Sequence, residues 1–489
     1  MPSLGHWLYA EIATWVTPLH PLSAQPWYPA CFTFPRIHPG RRSLKRTKKQ
    51  YGKKQHGMNS IFRLVEKIYA VTALFFMTGS LIAIMSPDEL AVGVDGAGSP
   101  HYRMLGLAIG GVAFLLLAMR PKALLRYWIV FIPVLVAVAS ISWSVSPGVA
   151  FRRCGSLIIT TVFAIWLGER FTTRTIMNLL LGAMALVCIS SYVSIFAFPN
   201  FGIHNPTNTI NPSHFGAWRG MLGHKNDFGR MLALASTIFL VAFLIRQKWR
   251  WVYLTGWLSA IALIGGSHSG QAVVLAILPA IGLIMLLWLR GMPLQFRSLV
   301  IIVTLPIGLF VSLISNVIVT EVLNILGKDP TLTGRSDIWS AALSSLGNNI
   351  FLGGGYGTGW EMIAAGVFMR MGGTMTHAHN GYLDLLLDVG VFGLSITLAF
   401  YAILVFKLRR ILLSPKQTEA VALGLVVLIF IISGNWVASF LLQYNSIYWV
   451  LPVLLYVKLT QIETAASQQV LPVQINIPLG SGKYGPMTS

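Results

Sequence analysis

Apolar runs separated by short polar stretches dominate the chain from about residue 66 onward. Since a helix needs roughly 20 mostly apolar residues to cross a bilayer, these runs predict an all-α integral membrane protein with about twelve transmembrane helices. The predicted spans cover residues 66–86, 103–119, 123–142, 154–168, 174–198, 227–245, 250–266, 270–290, 297–317, 388–407, 418–434 and 438–458.

Two of the connections between these spans are long, namely residues 199–226 and 318–387. The second is too long for a simple connection, so we expect a large extracytoplasmic loop that contains surface helices. One such helix is predicted at 334–346, where apolar residues recur at helical spacing. Its apolar face would consist of Ile338, Trp339, Leu343 and Leu346.

Charge is scarce and unevenly distributed. Only 10% of the residues are charged and 55% are hydrophobic, whereas roughly 25% of the residues of a soluble domain are charged. The net charge is +21. Nine Lys and Arg residues lie in the N-terminal segment, and most of the others cluster in every second predicted loop, with Arg152 and Arg153 as the main exception. This pattern predicts that both termini are cytoplasmic. Nucleic acid is excluded as a partner, because its binding needs basic residues on one folded face.

The two ends of the chain differ from the polytopic membrane domain, which we assign to residues 58–460. Residues 1–57 carry nine Lys or Arg residues without an acid between positions 36 and 54. Because prolines interrupt the apolar stretches, no signal peptide is predicted. We interpret this segment as a disordered basic tail or a misassigned start, with Met58 as the natural one. Residues 461–489 are polar and are predicted to form a disordered cytoplasmic tail.

The cysteines and histidines do not suggest a metal centre. Cys31, Cys154 and Cys188 lie far apart, and no group of His and Cys residues has the sequence spacing of a metal site. We therefore predict no disulfide framework, no metal ligand and no cofactor.

Three groups of polar residues beside glycines lie in the predicted outer connections. They are WRGMLGHKN at 218–226, GRSDIW at 334–339 with LGGGYGTG at 352–359, and HAHNGYL at 377–383. Together these groups resemble the O-antigen ligase and polymerase family of bacterial surface-polysaccharide enzymes, over most of residues 140–410. The sequence HNGYL, which opens a helix after a large outer loop, is the most specific part of the resemblance.

The resemblance implies a metal-independent glycosyltransferase of the bacterial inner membrane. Such an enzyme takes a sugar chain from undecaprenyl pyrophosphate and joins it to a hydroxyl group of an acceptor glycan. The expected partners are the undecaprenyl-pyrophosphate-linked oligosaccharide, the acceptor glycan and the lipid bilayer. Other polysaccharide export proteins are further candidate partners.

The leaving group of this reaction is a lipid pyrophosphate, and a fixed cation aimed at its growing negative charge lowers the barrier. Arg219 is our first candidate for that cation, because the planar fork of a guanidinium can grip phosphate at two points. Lys225 would assist from the start of the next helix, where free N–H groups also favour anions. The alternative is that both side chains only reach toward the lipid headgroups.

His379 matches the histidine of the family's loop motif. An imidazole titrates near neutral pH, so His379 is the candidate that accepts the proton of the acceptor hydroxyl. His377 competes for the same role. Asn380 either orients the substrate or caps the following helix, and we favour the cap.

Three further polar residues are candidate substrate contacts. Arg335 matches the family's Gly-Arg pair, and it either faces phosphate or pairs with Asp337. Asp384 and Asp388 lie four residues apart on one face of the helix, where they could hold His379 or bind sugar hydroxyls.

The glycine-rich sequence GGGYGTG at 353–359 lacks the spacing of a nucleotide-binding loop. We interpret it as a flexible turn that lets the surface helix fold back.

We hypothesise that the protein polymerises lipid-linked repeat units into exopolysaccharide on the outer face of the inner membrane. The first alternative is an O-antigen ligase that transfers the glycan to lipid A core. A transporter of lipid-linked oligosaccharides is an alternative of another class, and it would need ionisable residues or broken helices near the bilayer midplane. A structural membrane subunit would need none of the polar groups.

Overall fold

The computed structural model describes residues 61–85, 100–118, 121–207, 209, 212–293, 335–371, 377–412 and 417–469. The architecture below lies within residues 64–489, the larger of two units of the chain. The described residues form helices joined by turns, with one isolated β-bridge between Ile203 and Trp218 and no strand.

The main helices of this part of the chain are α1 (64–77), α2 (Pro100–Ala118), α3 (Phe131–Ala139), α4 (Pro147–Arg170), α5 (Thr173–Ala197), α6 (Lys225–Ile245), α7 (Arg250–Ser267), α8 (Gly270–Gly291), α9 (Arg335–Leu346), α10 (Gly359–Met371), α11 (Gly381–Ile411), α12 (Thr418–Gly434) and α13 (Ile447–Gln469). Short helical turns occupy Ile82–Met85, Pro121–Arg126 and Pro199–Gly202. Tighter turns flank α3 at Trp128–Val130 and Ser140–Trp143.

Six of these helices, α2, α4, α5, α6, α8 and α11, are long and apolar enough to cross a membrane. Helix α12 and the segment around α3 are apolar but shorter. These are the helices of a multi-pass membrane protein, as the hydrophobic pattern predicted. The predicted ninth span, 297–317, lies outside the described residues, so the total of twelve spans stays a prediction.

Helix α6 is the most deeply buried of the long helices. It packs against α5, α7, α8 and α12, and 78% of its most apolar stretch is buried, compared with 28% for α2. Gly229 allows close approach to α8, since a side chain there would meet Ala272 and Ser269. Because a tightly packed interior resists displacement, α6 holds the residues of its first turn in a fixed position.

Buried polar contacts join the basic loops at one end of the bundle. Nε of Arg170, at the end of α4, donates to Glu66 of α1 at 2.7 Å. Arg246, directly after α6, pairs with Glu419 of α12 at 2.9 Å. These are loops that the charge pattern predicts to be cytoplasmic. The connections at 218–226 and 377–383 lie at the opposite ends of helices α6 and α11.

The last predicted span, 438–458, is wrong at its beginning. Helix α13 starts only at Ile447, and residues 435–446 form turns and irregular backbone. This segment enters the bundle, since the N–H of Asn445 donates to Oγ1 of Thr160, within α4, at 2.9 Å. Irregular backbone can lie inside a membrane bundle only where protein groups satisfy its polar atoms.

Helix α13 also continues beyond its predicted end, to Gln469, so the first residues of the predicted tail 461–489 are helical. Lys407 and Arg410 of α11 both pair with Glu463 of α13, which explains why the helix extends. Residues 470–489 and the predicted tail 1–57 lie outside the described residues.

The predicted surface helix is confirmed as α9, which packs with α10 onto the beginning of α11. Ile338 and Leu346 are buried as expected, but Leu343 is 50% exposed. Ala341 and Ala342 complete the buried face in its place, because small residues allow α10 to approach closely. Its predicted position on the membrane surface stays a prediction.

Candidate active site

Two histidines bond the first turn of α6. The N–H of Lys225 donates to Nε2 of His204 at 3.1 Å, and the N–H of Asn226 donates to Nδ1 of His224, the N-cap residue, at 3.1 Å. We had expected free N–H groups here to favour an anion. That expectation is wrong for these two groups. The attraction of an anion to this position therefore comes mainly from the positive charge of the half-buried Lys225 side chain.

The predicted phosphate clamp Arg219 is only 7% exposed. Its Nε donates to the carbonyl of Phe201 at 2.8 Å and its Nη1 to that of Gly223 at 3.2 Å. Among the described residues, no carboxylate lies within 4.0 Å of the guanidinium. Burial lowers the pKa of Arg219 from its usual value. Arg219 is thus held in one orientation by carbonyl groups that do not neutralise its charge.

Sequence reasoning missed Asp227, which connects two of the predicted motifs. Its carboxylate pairs with Arg230 one turn later in α6, and Arg230 also donates to Oε1 of Gln271 at 3.2 Å. Asp227 interacts electrostatically with His377 and His379 as well. The first turn of α6 therefore lies near enough to the loop that precedes α11 for their charges to interact. The i, i+3 spacing of Asp227 and Arg230 was the available sequence signal for their pairing, but nothing in the sequence indicated the interaction with the histidines.

The loop at 377–380, hereafter the His379 loop, has an unusual backbone. His379 has a φ of +52°, in the left-handed region that few non-glycine residues adopt. The rings of His377 and His379 lie 4.0 Å apart between centroids, so the two candidates share one location. A strained backbone like that of His379, with its positive φ, occurs preferentially at functional sites.

Asn380 caps α11, as we favoured from the sequence. Its Oδ1 accepts from the N–H groups of Tyr382 at 3.1 Å and Leu383 at 3.3 Å, and the side chain is buried. The cap fixes the residue that directly follows His379.

Asp384 holds main chain and side chains together. Its Oδ1 accepts from the N–H of Ala378 at 2.7 Å and from Nε1 of Trp360 at 2.7 Å, and its Oδ2 accepts from the hydroxyl of Ser439. The carboxylate thus holds the main chain of the His379 loop, and its suggested roles toward the His379 side chain or sugar hydroxyls stay predictions. With three donors around it, Asp384 anchors the loop to α10 and to the segment before α13.

The predicted flexible turn at 353–359, hereafter the glycine segment, is instead packed tightly against α11. The N–H groups of Gly354 and Gly355 donate to the main-chain oxygens of Leu387 and Asp388, each at 2.8 Å. These oxygens lie just before a break in α11, where Gly390 has non-helical dihedral angles. The glycine segment thus replaces hydrogen bonds that the helix loses at its break.

Glycine is required here for close approach and not for flexibility. A Cβ atom at Gly353 or Gly359 would collide with the main chain at Leu387 and Asp388, and one at Gly390 with that of Phe351. Oδ1 of Asp388 also accepts from the N–H of Gly359 at 3.0 Å. Asp388 therefore holds the glycine segment, and its suggested contact with His379 or sugar hydroxyls stays a prediction.

Arg153, the exception in the charge pattern, contacts the same segment. Its Nη1 donates to the carbonyl of Gly357, and its guanidinium lies 5.9 Å from the ring centroid of Tyr444. A structural contact therefore explains one of the two basic residues found on the predicted outer side. Arg335 opens α9, but its side chain lies outside the described residues, so its pairing with phosphate or Asp337 stays a prediction.

Three histidines that we did not connect from the sequence come together beside Arg219. One ring nitrogen of each of His204, His214 and His224 lies within 4.8 Å of the others. Their spacing in sequence is long, and it is the bridge between Ile203 and Trp218 that folds this loop back on itself. Burial lowers the pKa of His224 to about 4 and also lowers that of His214, so both rings are neutral at pH 7.

Comparison with known families bears directly on this arrangement. Residues 254–398 match the model of the O-antigen ligase family. The predicted resemblance to O-antigen ligases and polymerases is thereby confirmed. The O-antigen ligase segment runs from α7 into α11 and includes Arg335, His377, His379, Asn380 and Asp384. Arg219 and Lys225 precede it.

The chain is also similar to the exopolysaccharide production protein ExoQ of Rhizobium meliloti (strain 1021). The two are 23% identical over 344 residues, which make up 65% of this chain and 76% of that protein. The similarity therefore extends well beyond the O-antigen ligase segment alone.

Proposed function

We propose that this protein polymerises undecaprenyl-pyrophosphate-linked repeat units into exopolysaccharide on the outer face of the inner membrane. The observation that carries the proposal is the electrostatic interaction of Asp227, in the first turn of α6, with His379 of the His379 loop. Arg219 bonds Gly223 in the same region. A glycosyl transfer needs this combination, a proton acceptor for the attacking hydroxyl and fixed positive charge for the leaving pyrophosphate.

The proposed reaction is a direct displacement. The hydroxyl oxygen of the acceptor glycan attacks C1 of the donor sugar, and the bond from C1 to the phosphate oxygen breaks. The hydroxyl proton passes to His379, and the electron pair of the broken bond leaves with undecaprenyl pyrophosphate. No metal ion takes part in this step.

Arg219 stabilises the leaving group in this proposal. A cation that is already oriented costs no reorganisation when charge develops, and removing one such partner typically costs about 3 to 4 kcal/mol of transition-state stabilisation. The carbonyls of Phe201 and Gly223 provide that orientation. Lys225 adds a second positive charge at the start of α6, and Arg335 is a further candidate phosphate contact.

His379 accepts the proton, and Asp227 stabilises the imidazolium that forms. An opposite charge nearby favours the charged form of a group, and the half-exposed Asp227 carboxylate supplies it. His377, with its ring 4.0 Å away, is the alternative acceptor. Asn380 and Asp384 act as positioning residues, because they hold the backbone on either side of His379.

The polymerase is favoured over the ligase by the similarity to a protein named for exopolysaccharide production. Both reactions use the same donor and the same leaving group. They differ only in the acceptor, which is a growing glycan for the polymerase and lipid A core for the ligase.

A transporter of lipid-linked oligosaccharides is the second candidate function, because one specific observation favours it. Residues 435–446 and Gly390 interrupt helical structure, and broken helices are typical of transporters. However, the hydrogen bonds described above already satisfy much of this irregular backbone, so the breaks can be explained by packing.

Purified protein in lipid vesicles, supplied with an undecaprenyl pyrophosphate oligosaccharide, separates the three functions. A polymerase releases undecaprenyl pyrophosphate and lengthens the glycan without any other acceptor. A ligase does so only when lipid A core is added. Movement of the donor between leaflets without cleavage would support a transporter and overturn the proposal.

A further inference from the structure

His204, His214 and His224 belong to three different local elements. His204 follows the bridge residue Ile203, and its backbone pairs with Gly216 and Ala217. His214 lies in the short turn Pro212–His214, and His224 is the N-cap of α6. The three rings converge, with centroid separations of 5.7, 5.4 and 4.9 Å. The cluster therefore ties both arms of the loop at 199–224, hereafter the Arg219 loop, to the beginning of α6.

This geometry is close to that of a tri-histidine metal site. Three histidines form a known ligand set for zinc, with Zn–N distances near 2.0 to 2.1 Å and a fourth position open to water. A tetrahedral site with such bonds places ligand nitrogens about 3.3 Å apart. The candidate nitrogens already lie within 4.8 Å of one another. Rotation of the histidine side chains alone can bring these nitrogens to the separation of about 3.3 Å that zinc requires.

One ring nitrogen of the cluster is buried without a hydrogen bond. Nδ1 of His214 has no hydrogen-bond partner among the described residues, although buried polar atoms are nearly always bonded. A metal ion bound through this nitrogen would satisfy it. The unbonded nitrogen of His214 is an observation independent of the convergence of the three rings.

The hydrogen bonds from α6 to two of the rings do not prevent metal binding. Nε2 of His204 and Nδ1 of His224 accept main-chain N–H bonds, and each such bond contributes about 1 kcal/mol net. Binding of a structural zinc ion contributes on the order of 10 kcal/mol. Zinc therefore outcompetes these bonds wherever it needs the same lone pairs.

A carboxylate also interacts with the cluster. Asp227 interacts electrostatically with His224, and metal-bound histidines usually have a carboxylate or carbonyl nearby. It offsets part of the positive charge that three neutral ligands leave on the metal.

We propose that His204, His214 and His224 bind one zinc ion, which fastens the Arg219 loop to α6. The zinc site does not depend on which substrate the enzyme uses. Its consequence for activity is indirect, because a fastened loop keeps the Arg219 guanidinium in place.

The test measures zinc bound to full-length protein purified without a polyhistidine tag. The chain has 11 histidines, so the informative quantity is the difference between wild type and His214→Gln. We expect wild type to retain one more zinc ion per chain than this variant. His101→Gln, a change at an exposed position of α2, is the matched control and should retain as much zinc as wild type. Equal zinc content in wild type and His214→Gln would overturn the proposal.

X-ray absorption of the wild type with one equivalent of zinc does not depend on the folding of a variant. Three histidine nitrogens at about 2.0 to 2.1 Å are expected. Fewer than three histidines around the metal would also overturn the proposal. A rise in melting temperature on zinc addition, seen in wild type and His101→Gln but not in His214→Gln, is expected in the same samples.

Discussion

The Asp227 carboxylate in the first turn of α6 interacts electrostatically with His379, which precedes α11. The two residues lie far apart in the sequence, with α7, α8, α9 and α10 between them. Their interaction links a motif inside the O-antigen ligase segment with residues that precede it.

Replacing Asp227 by Asn should lower the turnover rate, because the imidazolium formed at His379 loses its nearby negative charge. We expect a loss of at least about tenfold, equivalent to about 1.4 kcal/mol, with little change in KM for the donor. The measurement is steady-state release of undecaprenyl pyrophosphate. Glu361→Gln, at an exposed acid of α10, should keep wild-type turnover. A KM effect without a change in turnover would argue that Asp227 only supports substrate binding.

Removing the Asp384 carboxylate should loosen the His379 loop. Asp384→Ala leaves the N–H of Ala378 and Nε1 of Trp360 without their acceptor, and each buried unsatisfied group costs about 1 to 3 kcal/mol. Hydrogen exchange of residues 377–380 should accelerate strongly. Ser439→Ala removes only one of the three donors and should produce a smaller acceleration. Equal exchange in wild type and Asp384→Ala would show that other contacts hold the loop.

Two glycines, Gly390 at the break in α11 and Gly155 inside α4, should respond in opposite ways to replacement by alanine. Gly390→Ala introduces a side chain at a φ of +68° and against the main chain of Phe351, so stability should fall by more than about 1 to 2 kcal/mol. Gly155 lies inside α4, and the Cβ atom that Gly155→Ala adds has nothing within 4 Å. Since Ala is the better helix former by about 1 kcal/mol, this variant should melt no lower than wild type. Thermal melts in detergent provide the comparison.

The proposed orientation predicts which side of the membrane each loop faces. Phe215 of the Arg219 loop is 42% exposed and Trp249, between α6 and α7, is 65% exposed. In a Cys31→Ser background, where Cys154 and Cys188 are buried, an impermeant maleimide added to spheroplasts should label Phe215→Cys but not Trp249→Cys. Labelling of Trp249→Cys alone would reverse the orientation and remove Arg219 from the outer face.

The sequence predicted most of the helices because each membrane span corresponds to one contiguous apolar run, which can be recognised without knowledge of the other spans. It did not predict that residues 435–446 would be irregular. Val437, Phe440, Leu441 and Leu442 continue the apolar pattern of a span, and the contacts of the segment inside the bundle show that it is not one. The glycine segment was misinterpreted for the same reason. Glycine permits both flexibility and close packing, and the break at Gly390 that decides between them lies in a distant helix.

The candidate site was predicted in part. The motif around His379 could be recognised because its residues are contiguous, and the cap by Asn380 follows from local helix chemistry. Asp227 and the three histidines were missed because they depend on how α6, the Arg219 loop and the His379 loop meet. The bonds from Arg219 to Phe201 and Gly223 were likewise invisible, since main-chain acceptors leave no signature in a sequence.

The account depends on Arg219 and His379 acting on the same bond, and release of undecaprenyl pyrophosphate from a defined donor tests this directly. Arg219→Ala and His379→Ala should each lower the release rate by about 100-fold or more, equivalent to at least about 2.7 kcal/mol. Arg152→Ala, at an exposed basic residue of α4, should release at the wild-type rate. Wild-type release by either Arg219→Ala or His379→Ala, as correctly folded protein, would contradict the account.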